Sequence, residues 1–123
     1  MNRQLKFRVW DKLAERMIYP HNDNQQHFII DLNGRFHNLQ NGSGGDDYVI
    51  QQYTGLTDSK GKEIYEGDLI RGMFDFGPAG FSELMLPVCW HNLQGYQWNY
   101  WNLSTIEVVG NAYEQKELLN KLI

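Results

Sequence analysis

Glu66-Gly67-Asp68-Leu69-Ile70-Arg71-Gly72-Met73-Phe74 is the stretch from which the architecture of this chain can be read. A glycine between two carboxylates permits a sharp backbone reversal, and an aspartate directly after it can accept hydrogen bonds from nearby amides. The apolar residues that follow make this a strand entry, with Tyr65 and Leu69 as core anchors on either side. Gly67 is therefore expected in a backbone conformation that other residues disfavour.

Both flanks repeat the pattern of short strand and turn. Downstream, Asp75–Glu83 is a Gly- and Pro-containing loop, Leu84–His91 a strand, Asn92–Gly95 a turn, Tyr96–Trp101 an aromatic strand, and Thr105–Val109 a last strand. In Glu114–Ile123 the residues Leu118, Leu119, Leu122 and Ile123 recur at helical spacing, which predicts a short helix covering one open end of a barrel. Upstream, Thr54–Lys62 is rich in turn formers and Tyr48–Tyr53 reads as a strand. Near the start, the alternation in Leu5–Trp10 puts Leu5, Phe7 and Val9 inward and Lys6 and Arg8 toward water. Asp11-Lys12-Leu13-Ala14 turns into a second strand, Arg16–Tyr19, ended by Pro20.

Between these, His27–Leu32 and Arg35–Leu39 flank Asn33-Gly34, a dipeptide suited to a two-residue type I′ turn. That turn would pair Leu32 with Arg35, Ile30 with His37 and Phe28 with Leu39, making Phe28, Ile30 and Leu39 an apolar face. Asn41–Asp47, with three glycines, reads as a flexible loop. Many short strands and one terminal helix point to a barrel or small sandwich rather than a βαβ fold. Leu5, Phe7, Val9, Leu69, Val88, Trp98 and Val108 are expected to share one continuous core.

With 123 residues, 41% of them hydrophobic and 14% aromatic, the chain has the size of one domain and enough apolar material to fold. No run approaches the 18 or so apolar residues of a membrane span, and Met1-Asn2-Arg3-Gln4 lacks the apolar stretch of a secretory signal, so the cytoplasm is expected. Cys89 is the single cysteine and sits in an apolar run, which reads as a buried thiol. The net charge of −4 is uneven: residues 1–62 carry +1 and residues 63–123 carry −5. An acidic second half disfavours nucleic acid, whose nonspecific affinity comes from Lys and Arg on phosphates, although Arg3, Lys6, Arg8, Lys12 and Arg16 form a local basic stretch.

Several blocks together resemble the YopX family: Phe7-Arg8-Val9-Trp10-Asp11, Met17-Ile18-Tyr19, Gln52-Tyr53-Thr54-Gly55-Leu56-Thr57-Asp58, Gly61 through Ile70, and Ile106-Glu107-Val108-Val109-Gly110-Asn111-Ala112-Tyr113-Glu114. Trp90, Gly95 and Tyr96 are similar to the family's late strand pair. The resemblance implies a protein of phages, prophages and related bacterial mobile elements, with no established activity. It also implies an SH3-like small β-barrel formed largely by the second half; with the residue patterns above, the expected fold is mainly β, this barrel with an added N-terminal β-hairpin region and a short C-terminal helix. A single domain over residues 1–123 is expected, with hairpins and a variable loop in 1–62 and the barrel half plus helix in 63–123.

The candidate chemistries are weak. His27 and His37 fall on opposite faces of the expected hairpin, and His21 with Asp23 has no further spaced ligand, so no metal or other cofactor is expected. Cys89 and His91 would share a strand face, yet no oxyanion motif or catalytic-cysteine signature surrounds them. Asn41-Gly42-Ser43-Gly44-Gly45 lacks the following Lys-Ser/Thr and helix of a phosphate loop and is followed by Asp46 and Asp47. A non-catalytic protein-interaction module, with a protein partner or a second copy of itself, is the leading reading. Its candidate surface is Trp90, Tyr100 and Trp101, together with Arg8 and Trp10, because exposed rings anchor partners. The alternative is a nucleic-acid-binding SH3-like barrel that uses Arg3, Lys6, Arg8 and Arg16 on phosphates and stacks bases on the rings.

Overall fold

The computed structural model describes residues 4–22 and 27–120, with the side chains of residues 119 and 120 excepted. The chain is mainly β and divides into two compact units, Met1–Gln52 and Tyr53–Ile123. The first holds β1 (Phe7–Asp11), β2 (Arg16–Ile18), β3 (Phe28–Ile30) and β4 (Phe36–Asn38). The long β5 (Tyr48–Thr57) crosses the division. The second unit continues with β6 (Glu63–Tyr65), β7 (Asp68–Asp75), β8 (Phe81–Pro87), β9 (Glu107–Asn111) and the helix α1 (Lys116–Asn120).

In the first unit β1 lies between β2 and the early part of β5, with Val9 opposite both Ile18 and Ile50. The Asp11 carboxylate accepts the amides of Leu13 and Ala14, which closes the expected β1–β2 turn. Arg8 does not face water as its alternation suggests. It is 3% exposed, and its Nε donates to Oε1 of Gln51, the residue directly across the ladder, at 2.6 Å. A buried guanidinium is tolerable only with such acceptors. Leu5 is the converse case, 68% exposed where a core position was expected.

The Asn33-Gly34 hairpin forms in a different register. Phe28 pairs with Asn38, Ile29 with His37 and Ile30 with Phe36, so the turn has three residues, ending at Gly34 with φ 80°. The cause is Asp31: its Oδ1 accepts the amides of Asn33 and Arg35, and its Oδ2 pairs with Nε2 of His37 at 2.8 Å. Those bonds, His37's first and Arg35's next, hold the Asp31 carboxyl below its ordinary pKa. A slip of one residue exchanges the two faces of a strand. Phe36 rather than Leu39 is therefore buried, and it stacks on Phe28 at 5.7 Å, within a small core that also holds Val9 and Ile18. The glycine loop folds back on β4: Gly44 bridges His37, and a Cβ at Gly44 would collide with the carbonyl oxygen of Phe36.

In the second unit β7 is the centre of a curled antiparallel sheet in the order β8-β7-β9. A register shift between Leu69 and Ile70 interrupts the β7–β9 ladder, the kind of irregularity that bends a sheet. Gly72 lets β9's approach come close, since a Cβ there would meet Cα of Ile106 at 3.1 Å. Ile64, Ile70, Val88, Trp101, Ile106 and Val108 form this unit's core. Among the described residues, Val9 lies in one buried cluster and Val88 and Val108 in another, where alternation led one continuous core to be expected; Leu69 is fully buried as expected.

Two carboxylates organise the turns. Asp58 Oδ1 accepts the amides of Lys60 and Lys62, closing the loop between β5 and β6, while Oδ2 accepts the amide of Val108 on β9 at 3.0 Å. Asp68 Oδ2 accepts the amide of Tyr65 at 2.8 Å across Gly67, whose φ is 86°, as the sequence requires. At the other end, Asn111 Oδ1 accepts the amides of Tyr113 and Glu114 and leads into α1. There Leu118 lies over Gly110, where a Cβ would come within 3.1 Å of Cδ1. The expected packing of Leu119, and the places of Leu122 and Ile123, lie outside the described residues.

The expected strand at Tyr96–Trp101 does not form, and β8 ends at Pro87 instead of continuing to His91. Pro87 has no amide to extend a ladder, and the late aromatics pack onto β7 through an irregular loop instead.

Gly67→Val forces a β-branched residue into positive φ, and chemical denaturation should show a loss of at least about 1 kcal/mol. Asp58→Asn turns a donor toward one of three amides and should cost about 2 kcal/mol at neutral pH. Burial raises the Asp58 pKa, but the amides of Val108, Lys62 and Lys60 and the Lys62 charge outweigh it, leaving the pKa lowered. Its contribution is therefore present above the unfolded value of about 3.9 and is lost as pH falls through the folded one, so wild type and Asp58→Asn should converge in unfolding midpoint in acid.

Candidate functional site

The second unit carries a groove of about 220 Å³. Ile70 and Phe74 of β7 line it, with Leu86 and Pro87 from the end of β8 and the loop that follows them. The turn at Gly67 sets where that loop begins: the Gly67 amide donates to the Val88 carbonyl at 2.9 Å, and the Val88 amide donates to the Asp68 carbonyl at 2.8 Å. Val88 enters the core, and Cys89, Trp90 and His91 emerge along one wall. His91 and Gly95 then close a reverse turn by two backbone bonds of 3.0 and 2.7 Å. Gly95 has φ 68°, and its missing side chain leaves room for Trp90, whose Cζ3 would lie 3.2 Å from a Cβ there.

The returning arm of the loop is pinned at its far end. Asp75 donates its amide to Tyr100 and Asn102 donates to Met73, so Trp101 bridges Phe74 and presents its ring edge-on at 5.1 Å. Tyr96 meets Trp90 at 5.0 Å in a T-shape and Trp98 at 6.5 Å, and its hydroxyl donates to Oε2 of Glu66 at 2.9 Å. The result is a groove walled by rings, some in the core and some at its mouth.

The candidate surface residues divide accordingly. Trp90 is 54% exposed and Tyr100 is 62% exposed, both at the groove. Trp101 is 9% exposed and belongs to the core: its expected place on the strand face opposite Tyr96, Trp98 and Tyr100 has no meaning in a segment that is not a strand. Arg8 and Trp10 are buried in the first unit and present no surface there. Cys89 is exposed rather than buried, and it lines the groove with His91, whose Nδ1 accepts the Leu93 amide at 3.3 Å. Of the residues considered for metal or phosphate contacts, Asp23 and Arg3 lie outside the described residues. Phe74 and Leu86 are groove residues that pattern reading does not single out, and only folding brings the Glu66 carboxylate to the hydroxyl of the groove's Tyr96.

Comparison with known proteins adds a fold and a family. No curated protein matches the chain. Among solved structures, the crystal structure of protein EF1440 from Enterococcus faecalis is similar at 26% identity, with a TM-score of 0.61 over 96% of this chain and 99% of that one. Among protein families, the YopX protein family matches residues 6–120. The blocks that carry the turns at Asp58, Gly67 and Asn111 all lie inside that match, and the chain belongs to the YopX family.

Proposed function

We propose that the chain is a non-catalytic interaction module that takes a segment of a partner protein into the aromatic groove of its second unit. The observation that carries this is the pairing of rigid support with exposure: Trp90 and Tyr100 stand at the mouth of the groove, while Trp101 in the core and the half-buried Phe74 packed against it hold its floor. Aromatic side chains fixed by packing beneath and open above are the residue types that dominate binding energy at protein interfaces. The second unit is read as an SH3-like open barrel, supported by its curled sheet, its strand-bending register shifts and the 3-10 turn Leu103–Thr105 just before β9.

A phage- or prophage-derived accessory role in the bacterial cytoplasm rests on the family resemblance; among the described residues no helix is long and apolar enough to cross a membrane. The nucleic-acid reading carries less weight, because Arg8 is buried against Gln51 and the second unit is acidic.

Selection of random linear peptides on the full chain should enrich sequences that bind in the groove. Trp90→Ala should weaken the selected peptides by about tenfold or more while leaving the unfolding midpoint near wild type. Failure to enrich any peptide, or binding indifferent to both Trp90→Ala and Tyr100→Ala, would defeat the reading.

A further inference from the structure

Charge narrows what the groove accepts. Resting on the reading of the groove as a partner site, we propose that it recognises a cationic side chain, an arginine or lysine on an extended partner segment, in the corner made by Trp90, Tyr96 and Trp98. The Trp90 and Tyr96 rings stand at 79° to one another and Trp98 is tilted by 45° to Tyr96, so the ring planes around the corner point in different directions. Ring faces carry negative potential and attract a cation, more so where water is partly excluded. Among the described residues, no lysine or arginine lines the groove to oppose it.

The carboxylate of Glu66 strengthens this selection. It accepts the Tyr96 hydroxyl at 2.9 Å, which places a carboxylate at the polar end of one wall. The unit as a whole has nine acidic against five basic side chains in residues 53–123, and two of the basic ones are already committed, Lys60 to Glu107 at 3.0 Å and Arg71 beside Glu83 at 3.8 Å. An anionic segment meets both the ring faces and this field with repulsion. A neutral aliphatic chain gains burial alone. A guanidinium or ammonium on an aliphatic stem gains burial from the stem and attraction at its head.

The test is an NMR titration of the full chain, following the indole N–H signals of Trp90 and Trp98, with four capped pentapeptides. Each has two alanines on either side of a central arginine, lysine, norleucine or glutamate. The arginine and lysine peptides should bind about threefold to fivefold more tightly than the norleucine peptide, with glutamate weakest. Raising the salt concentration should shrink that preference. Glu66→Gln keeps the acceptor for Tyr96 and removes the charge, so it should reduce the preference while the protein stays folded, and Trp90→Leu should abolish it. Phe81→Ala, outside the groove, should leave all four peptides unchanged.

Equal binding of norleucine and arginine at the groove would overturn the cationic selection and leave the interaction reading standing. A preference for glutamate, or a cation preference that survives in folded Trp90→Leu, would also overturn it. If none of the four peptides moves a groove signal, the cationic proposal falls, and the interaction reading is then decided by the peptide selection alone.

Discussion

The turn Glu66-Gly67-Asp68 is the point on which the second unit depends. Gly67 donates its amide to Val88 and accepts the amide of Ala112, while Asp68 accepts the amides of Val88 on its carbonyl and Tyr65 on its carboxylate. Three segments far apart in sequence are thus fastened to two residues. The arrangement is available only because Gly67 sits at positive φ, which turns its amide and carbonyl toward different partners. Buried backbone groups must be paired, so a change at this turn would be felt in β6, in the start of the groove loop and beyond the end of β9 together.

The same turn links stability to the site. Through Val88 it fixes where Cys89 and Trp90 leave the core, and through Glu66 it holds the hydroxyl of Tyr96. The groove is therefore supported from one side by a turn and from the other by the backbone bonds of Tyr100 and Asn102 to β7. Side chains held in this way lose little freedom when a partner arrives, which favours affinity. The loop gives up a ladder of its own to achieve it: a continuous Tyr96–Trp101 strand would alternate its rings between two faces. The irregular path instead buries Trp101 and leaves Tyr100 at the mouth.

Side-chain hydrogen bonds account for several of the features that pattern alone does not give. Asp31 takes two turn amides and so selects a three-residue hairpin over the two-residue turn that Asn33-Gly34 invites. Asp58 joins its own loop to Val108, fifty residues away, a contact that no local window contains. Arg8 follows the same logic from the side of a donor: Gln51 is opposite it in the ladder, so a charged side chain can occupy a buried position. In each case one polar group with a good partner outweighs the hydrophobic alternation of its neighbours.

By itself, the amino-acid sequence determined the class of fold, the family, the positive φ at Gly67, the turn after β1 and the helical spacing at the C-terminus, because these are set by residues within a few positions of one another. It offered Trp90, Tyr100, Trp101, Arg8 and Trp10 together as a candidate surface, and of these the fold exposes Trp90 and Tyr100. Tertiary structure alone decided that Trp101 is core, that Cys89 is exposed, that Arg8 is buried, and that Glu66 and Phe74 stand beside the late rings. The physical reason is that burial and register depend on what lies across the sheet. Those partners are chosen by long-range hydrogen bonds and packing, which leave no period in the sequence to be read.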